Sequence, residues 1–86
     1  LHLSATPNPF TGQLQLSFHA GGRDDATLEV FDVAGRLRRS FELSVGAGSI
    51  SWDGRGASGE AVPAGTYLVR FSSGNESRTG RVLRLR

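Results

Sequence analysis

The sequence predicts an all-β protein, an antiparallel β-sandwich of about seven strands, and three observations carry that expectation. Apolar residues recur at a spacing of two, as in Leu14-Leu16-Phe18 and Tyr67-Val69-Phe71. Turn signals rich in glycine, asparagine and aspartate separate these runs, and no stretch of ten residues has the period of a helix. One-sided alternation in strands this short needs a second sheet to cover it, which makes a sandwich.

The chain is organised around residues 49–71. Ile50 and Trp52 share one parity, Tyr67, Val69 and Phe71 another, and a Gly-rich turn region from Asp53 to Gly65 joins the two strands. Before them, Leu1-His2-Leu3-Ser4-Ala5 reads as a short edge strand that Pro7 and Pro9 end, since proline offers no ladder donor. Leu14, Leu16 and Phe18 then face inward, with Gln13, Gln15, Ser17 and His19 outward. Residues 21–25, Gly-Gly-Arg-Asp-Asp, form a turn. In 26–33, Leu28 and Val30 point inward while Phe31 and Val33 are apolar on the opposite parity, which predicts a bulge or a second buried face near Phe31. Ala34-Gly35 supplies a hairpin turn into a strand whose parity holds Leu37, Arg39, Phe41 and Leu43, with Arg39 the exception to an apolar row. Gly46-Ala47-Gly48 breaks the chain before Ile50. The last strand, 77–86, has Leu83 and Leu85 in phase.

At 86 residues the chain is expected to be one domain, 1–86, whose small core buries only about 60–65% of the unfolded surface. It contains no cysteine, so neither a disulfide nor a thiolate metal site supplements that core. Its ten basic residues are all arginine and its net charge is +2, too small to predict nucleic-acid binding. Arg78, Arg81, Arg84 and Arg86 crowd the C-terminus, where they either discourage edge pairing as a solvated strand or give a partner something to read. No apolar run approaches the roughly 18 residues of a membrane-spanning helix. With Leu1 in place of a start methionine, and no signal-peptide pattern, the expectation is a piece of a longer polypeptide whose preceding part holds the main activity.

Little in the sequence points to catalysis. A nucleophilic triad needs a base beside a Ser, Thr or Cys, and His2 and His19 have no nucleophile turn near them. Asp53 and Glu60 could be paired carboxylates, but such a pair needs a cleft that a domain of this size hardly builds. The loop from Asp53 to Glu60 has oxygens suited to calcium without the spacing of a calcium loop, so Asp53 is expected to bond backbone N–H groups in its turn. Asp24, Asp25 and Asn75 would make a second cation site only if two turns meet. No cofactor and no metal site is expected. Trp52 and Tyr67 are expected in the core by parity rather than on a sugar-stacking platform. Phe10 and Phe31 are the aromatics without an assigned face, and an exposed position for either would make a binding patch.

Several segments taken in order carry a resemblance. Pro7-Asn8-Pro9-Phe10, the run from Val30 to Leu37 with Asp32, Gly35 and Arg36, then Trp52-Asp53-Gly54-Arg55, Gly65-Thr66-Tyr67 and the basic-apolar terminal strand are similar to two related families. One is the immunoglobulin-like domain of the flagellar hook-capping protein and its relatives. The other is the C-terminal sorting domain of proteins exported by the type IX secretion system. The resemblance implies an immunoglobulin-like antiparallel β-sandwich of about seven strands at the C-terminal end of a secreted or cell-surface bacterial protein. In the sorting family the terminal strand is read by the export machinery, which here implies Arg81, Arg84 and Arg86 as partner-recognition residues.

Three functions follow as expectations: a non-catalytic domain for export, sorting or surface attachment; an accessory module that holds a parent hydrolase to polysaccharide; or a structural spacer or assembly domain. Fold alone does not choose among them.

Overall fold

The computed structural model describes residues 2–19, 25–43 and 47–85. Seven strands form: β1 (His2–Thr6), β2 (Leu14–His19), β3 (Ala26–Asp32), β4 (Leu37–Leu43), β5 (Ala47–Trp52), β6 (Gly65–Ser73) and β7 (Glu76–Arg84). They make two antiparallel sheets, one in the order β1-β2-β5 and the other β4-β3-β6-β7. No helix is present among the described residues.

The alternation seen in the sequence decides what each sheet buries. Leu14, Leu16, Phe18 and Trp52 from the three-stranded sheet meet Ala26, Leu28, Val30, Tyr67, Val69, Phe71 and Val82 from the four-stranded one, all of them buried. Phe18 stacks on Phe71 at 5.2 Å between the sheets, and Ile50 packs on the same cluster from its partly buried position.

The bulge expected near Phe31 is present and relocates one residue. Val30 pairs with Arg39 but Phe31 pairs with Leu37, so β4 carries Arg38 as an extra residue. Beyond that point the parity of β4 reverses. Leu37 therefore leaves the inward row to which its spacing assigned it and stands 52% exposed on the outer face. The turn that follows β3 is organised by Asp32, whose Oδ1 accepts from the N–H groups of Ala34 (3.0 Å) and Arg36 (2.9 Å). Gly35 takes a positive φ of 85° there, which explains the glycine without recourse to function.

Candidate functional site

The terminal strand is the natural place to look, since β7 is the edge of the four-stranded sheet. An edge strand offers a row of unpaired N–H and C=O groups to any extended partner. Over Arg81 to Leu85 this row is occupied by the segment after β1. The Asn8 side chain donates from Nδ2 to the Arg81 carbonyl at 3.0 Å and accepts the Leu83 N–H on Oδ1 at 3.0 Å. Phe10 continues the ladder, donating its N–H to the Leu83 carbonyl (2.9 Å) and accepting from Leu85 N–H (2.8 Å). The flanking prolines lack an N–H, and the amide side chain of Asn8 supplies both donor and acceptor between them. The Pro7-Asn8-Pro9-Phe10 segment is thus an edge cover.

Its last residue is also a core anchor. Phe10 is 1% exposed and lies against Trp52 at 5.7 Å, which in turn meets Tyr67 edge-on at 5.8 Å. Phe10 is therefore not part of an exposed aromatic patch: the parallel bridge to Arg84 turns its ring between the sheets.

Arg84 departs from expectation in the same way. Val82 and Arg84 carry the inward parity of β7, and Leu83 and Leu85 point outward. The Arg84 guanidinium lies buried over the Phe10 ring at 5.6 Å, and its Nε donates to the Val62 carbonyl at 3.2 Å. Its Nη1 has no hydrogen-bond partner among the described residues. A side chain so enclosed is not displayed to a partner. It occupies the space above Gly54, where a Cβ would collide with Nη1 and where φ is +76°.

The loop containing Gly54 is held by its own turns, as its glycine and aspartate content suggested. Trp52 Nε1 donates to the Arg55 carbonyl at 2.8 Å, and Asp53 Oδ1 accepts from Arg55 N–H at 3.1 Å. Gly56 N–H reaches Glu60 O, and Val62 N–H reaches Gly54 O. Ala57 N–H bonds the Arg38 carbonyl, so the loop also covers part of the outer edge of β4. Asp53 faces Arg39 at 3.6 Å and Arg55 at 4.0 Å, and its carboxylate serves the turn rather than a paired acid. Among the described residues no group of three or more His, Asp or Glu is gathered as a metal site. Asp24, one corner of the cation site considered from the sequence, lies outside the described residues.

Asp32 is the most heavily engaged carboxylate. Beyond its two backbone bonds it receives Arg36 Nε (2.9 Å) and Arg38 Nη1 (3.4 Å) on Oδ2. The Arg36 backbone N–H holds its carboxyl below the usual range; burial acts the other way, and the Arg36 side chain adds to the lowering. The Tyr67 hydroxyl, which donates to the Pro63 carbonyl, is pushed upward by burial, with Arg38 and Arg84 opposing. Both arrangements hold structure, and neither presents a base to a nucleophile. His2 and His19 face each other across β1 and β2, both exposed.

The remaining residues singled out from the sequence reach the surface. Phe31 is half-buried on the outer face of the four-stranded sheet, in register with Leu37 on one side and Leu68 on the other, and Leu68 is in register with Arg81. Arg81 is exposed; Arg86 lies outside the described residues. Sequence reasoning missed Asn8, Leu68 and Arg70 as participants. Asn8 had a detectable signal, an amide between two prolines, which cannot itself form a continuous ladder.

The FlgD Ig-like domain family model matches residues 4–77. No curated protein matches the chain. Among solved structures, PorZ, described as an essential bacterial surface component of the type-IX secretion system of Porphyromonas gingivalis, contains a region similar to 98% of this chain at a TM-score of 0.75 and 24% identity. Dimeric latent PorU from Porphyromonas gingivalis is similar over 95% of the chain, at a TM-score of 0.75 and 23% identity. This chain spans only 11% of that PorZ chain and 9% of that PorU chain. Likeness at this identity concerns the fold.

Proposed function

Since the chain belongs to the FlgD Ig-like domain family, we propose that it is a non-catalytic accessory domain at the C-terminal end of a larger secreted bacterial protein, serving its export, sorting or attachment at the cell surface. The observation that carries this reading is the fold shared over nearly the whole chain with regions of PorZ and PorU, of which it spans about a tenth. Residues that could have done chemistry are engaged in turns instead: Asp53 with Arg55, Asp32 with Ala34 and Arg36. On this reading the parent protein supplies the activity and the sandwich supplies an address.

Strand addition at the end of β7 would have to displace Asn8 and Phe10 from four hydrogen bonds, and Phe10 from the core. Recognition falls instead to side chains that the closed sandwich displays: Arg78 and Arg81 are exposed, whereas Arg84 is buried. A polysaccharide-binding role is less well supported, because Trp52, Tyr67 and Phe10 are enclosed and a sugar platform needs open ring faces.

The test is a reporter fused ahead of residues 1–86 in a host carrying a type IX secretion system. The expected result is reporter on the cell surface or in the medium, and periplasmic retention of a folded fusion would refute the proposal. Polysaccharide pull-downs and assembly assays would then separate a binding module from a spacer.

A further inference from the structure

All four large apolar side chains recorded as exposed among the described residues lie at one end of the four-stranded sheet. They are Val33 (77%), Leu37 (52%), Leu83 (38%) and Leu85 (50%). Cross-strand register joins Leu37 to two half-buried neighbours, Phe31 and Leu68. One row crosses all four strands as Leu37, Phe31, Leu68 and Arg81, and beside it Thr66 pairs with Leu83. The opposite parity of the same strands, Val30, Val69 and Val82, is buried, so the row faces away from the core. Isolated exposed leucines need no explanation, but a contiguous apolar patch on a small domain marks an interaction surface.

Charge at the margin identifies the occupant. Arg70 pairs in register with Thr79, and Arg81 with Leu68, which makes the two arginines diagonal neighbours on this face of β6 and β7. Neither forms a salt bridge with a described residue, whereas Arg36, Arg38, Arg39 and Arg55 each have an aspartate. Arg81 has no acid in register, and Arg70, although opposite Glu29, forms no ion pair with it, so two adjacent guanidinium groups beside an apolar floor complement a surface that carries carboxylates next to apolar side chains.

We infer that this outer face, with Phe31, Leu37, Leu68 and Leu83 as its floor and Arg70 and Arg81 at its margin, docks the domain onto an acidic and apolar surface of a protein partner. The inference rests on the export-or-attachment reading and names the surface through which it works. A protein fits better than an anionic membrane for two reasons. The face is of mixed sign, with Glu29 opposite Arg70 and Glu42 opposite Thr27, which a uniformly anionic headgroup layer cannot match and a protein surface with carboxylates set only against Arg70 and Arg81 can. Phe31 and Leu68 are half-recessed in a sheet, which does not insert as a protruding apolar element does.

The experiment uses the same reporter fusion in three further versions: Phe31→Ser with Leu37→Ser, Arg70→Glu with Arg81→Glu, and Gln15→Glu on the outer face of the other sheet. Urea midpoints of the purified domains establish that each folds. Docking through this face predicts at least a tenfold loss of surface reporter for the first two pairs and no change for the third. If the unaltered fusion is not delivered, the export reading fails and the inference falls with it. If the unaltered fusion is delivered and both altered pairs, folded, are delivered equally well, the inference is overturned while the export reading stands. Two further arms can also overturn it. One is binding of the unaltered domain to phosphatidylglycerol vesicles that the Arg70/Arg81 pair abolishes, which assigns the face to a membrane. The other is a concentration-dependent dimer in sedimentation that the Phe31/Leu37 pair abolishes, which assigns it to a second copy.

Discussion

Gly54→Ala offers a quantitative test of how the terminal strand is fastened. The substitution has two separable costs. Placing an L-residue at a φ of +76° costs about 1 kcal/mol. The new methyl group also collides with Arg84 Nη1, and relieving the collision moves the guanidinium off its partners. The bond from Arg84 Nε to the Val62 carbonyl is charge-assisted and contributes about 1.5–3 kcal/mol. Its contact with the Phe10 ring adds about 0.5–2 kcal/mol. The total, about 3–6 kcal/mol, is a large part of the roughly 4–13 kcal/mol expected for a domain of this length. In an Arg84→Leu background the collision is absent and Gly54→Ala should cost only about 1 kcal/mol. Urea unfolding of the four proteins, followed by the fluorescence of the single tryptophan, gives the coupling energy. Equal costs in both backgrounds would refute the placement of Arg84 over Gly54, and the Arg84→Leu pair remains measurable even if Gly54→Ala alone does not fold.

Three other expectations follow from the same contacts. Trp52→Ala removes a fully buried ring that touches Phe10 and Tyr67, and should lower stability by about 3–5 kcal/mol in urea melts. Asn8→Ala strips two bonds from the edge of β7, and should cost about 1–2 kcal/mol and increase self-association in light scattering as Arg81 O and Leu83 N–H open. Asp32→Asn tests acid sensitivity. The folded carboxyl is held below its ordinary 3.8, so its stabilising effect is present above that pH and is lost as pH falls toward the lowered value. The stability gap between the native protein and Asp32→Asn should therefore be widest near neutral pH and narrow below about pH 4, as midpoints measured across that range will show.

Much of the fold was legible because parity is a local property. The rows Leu14-Leu16-Phe18 and Tyr67-Val69-Phe71 were readable from spacing alone, and each is buried in the structure. Parity failed where a single inserted residue, Arg38, resets the count and turns Leu37 outward. It also could not assign Phe10, which follows the Pro7-Asn8-Pro9 segment and whose partner strand lies more than 70 residues away, as the Asn8 to Arg81 bond shows. Arg84 was misread because a charged residue in a terminal strand suggests solvent, and only a glycine in a distant loop makes room for it. The outer-face row was hidden for a related reason. Leu37, Phe31, Leu68 and Arg81 come from four strands, and only their register brings them together.

Closure of the end of β7, over Arg81 to Leu85, leaves display of side chains as the means of recognition there. Amide hydrogen exchange by NMR measures this without any partner. Leu83 and Leu85 point their N–H groups away from β6, toward Asn8 Oδ1 and Phe10 O. A closed edge predicts that both exchange slowly, with protection close to that of core amides such as Val69. Exchange of both at the rate of an open edge strand would contradict it, and would return the terminal strand to strand addition as its mode of recognition.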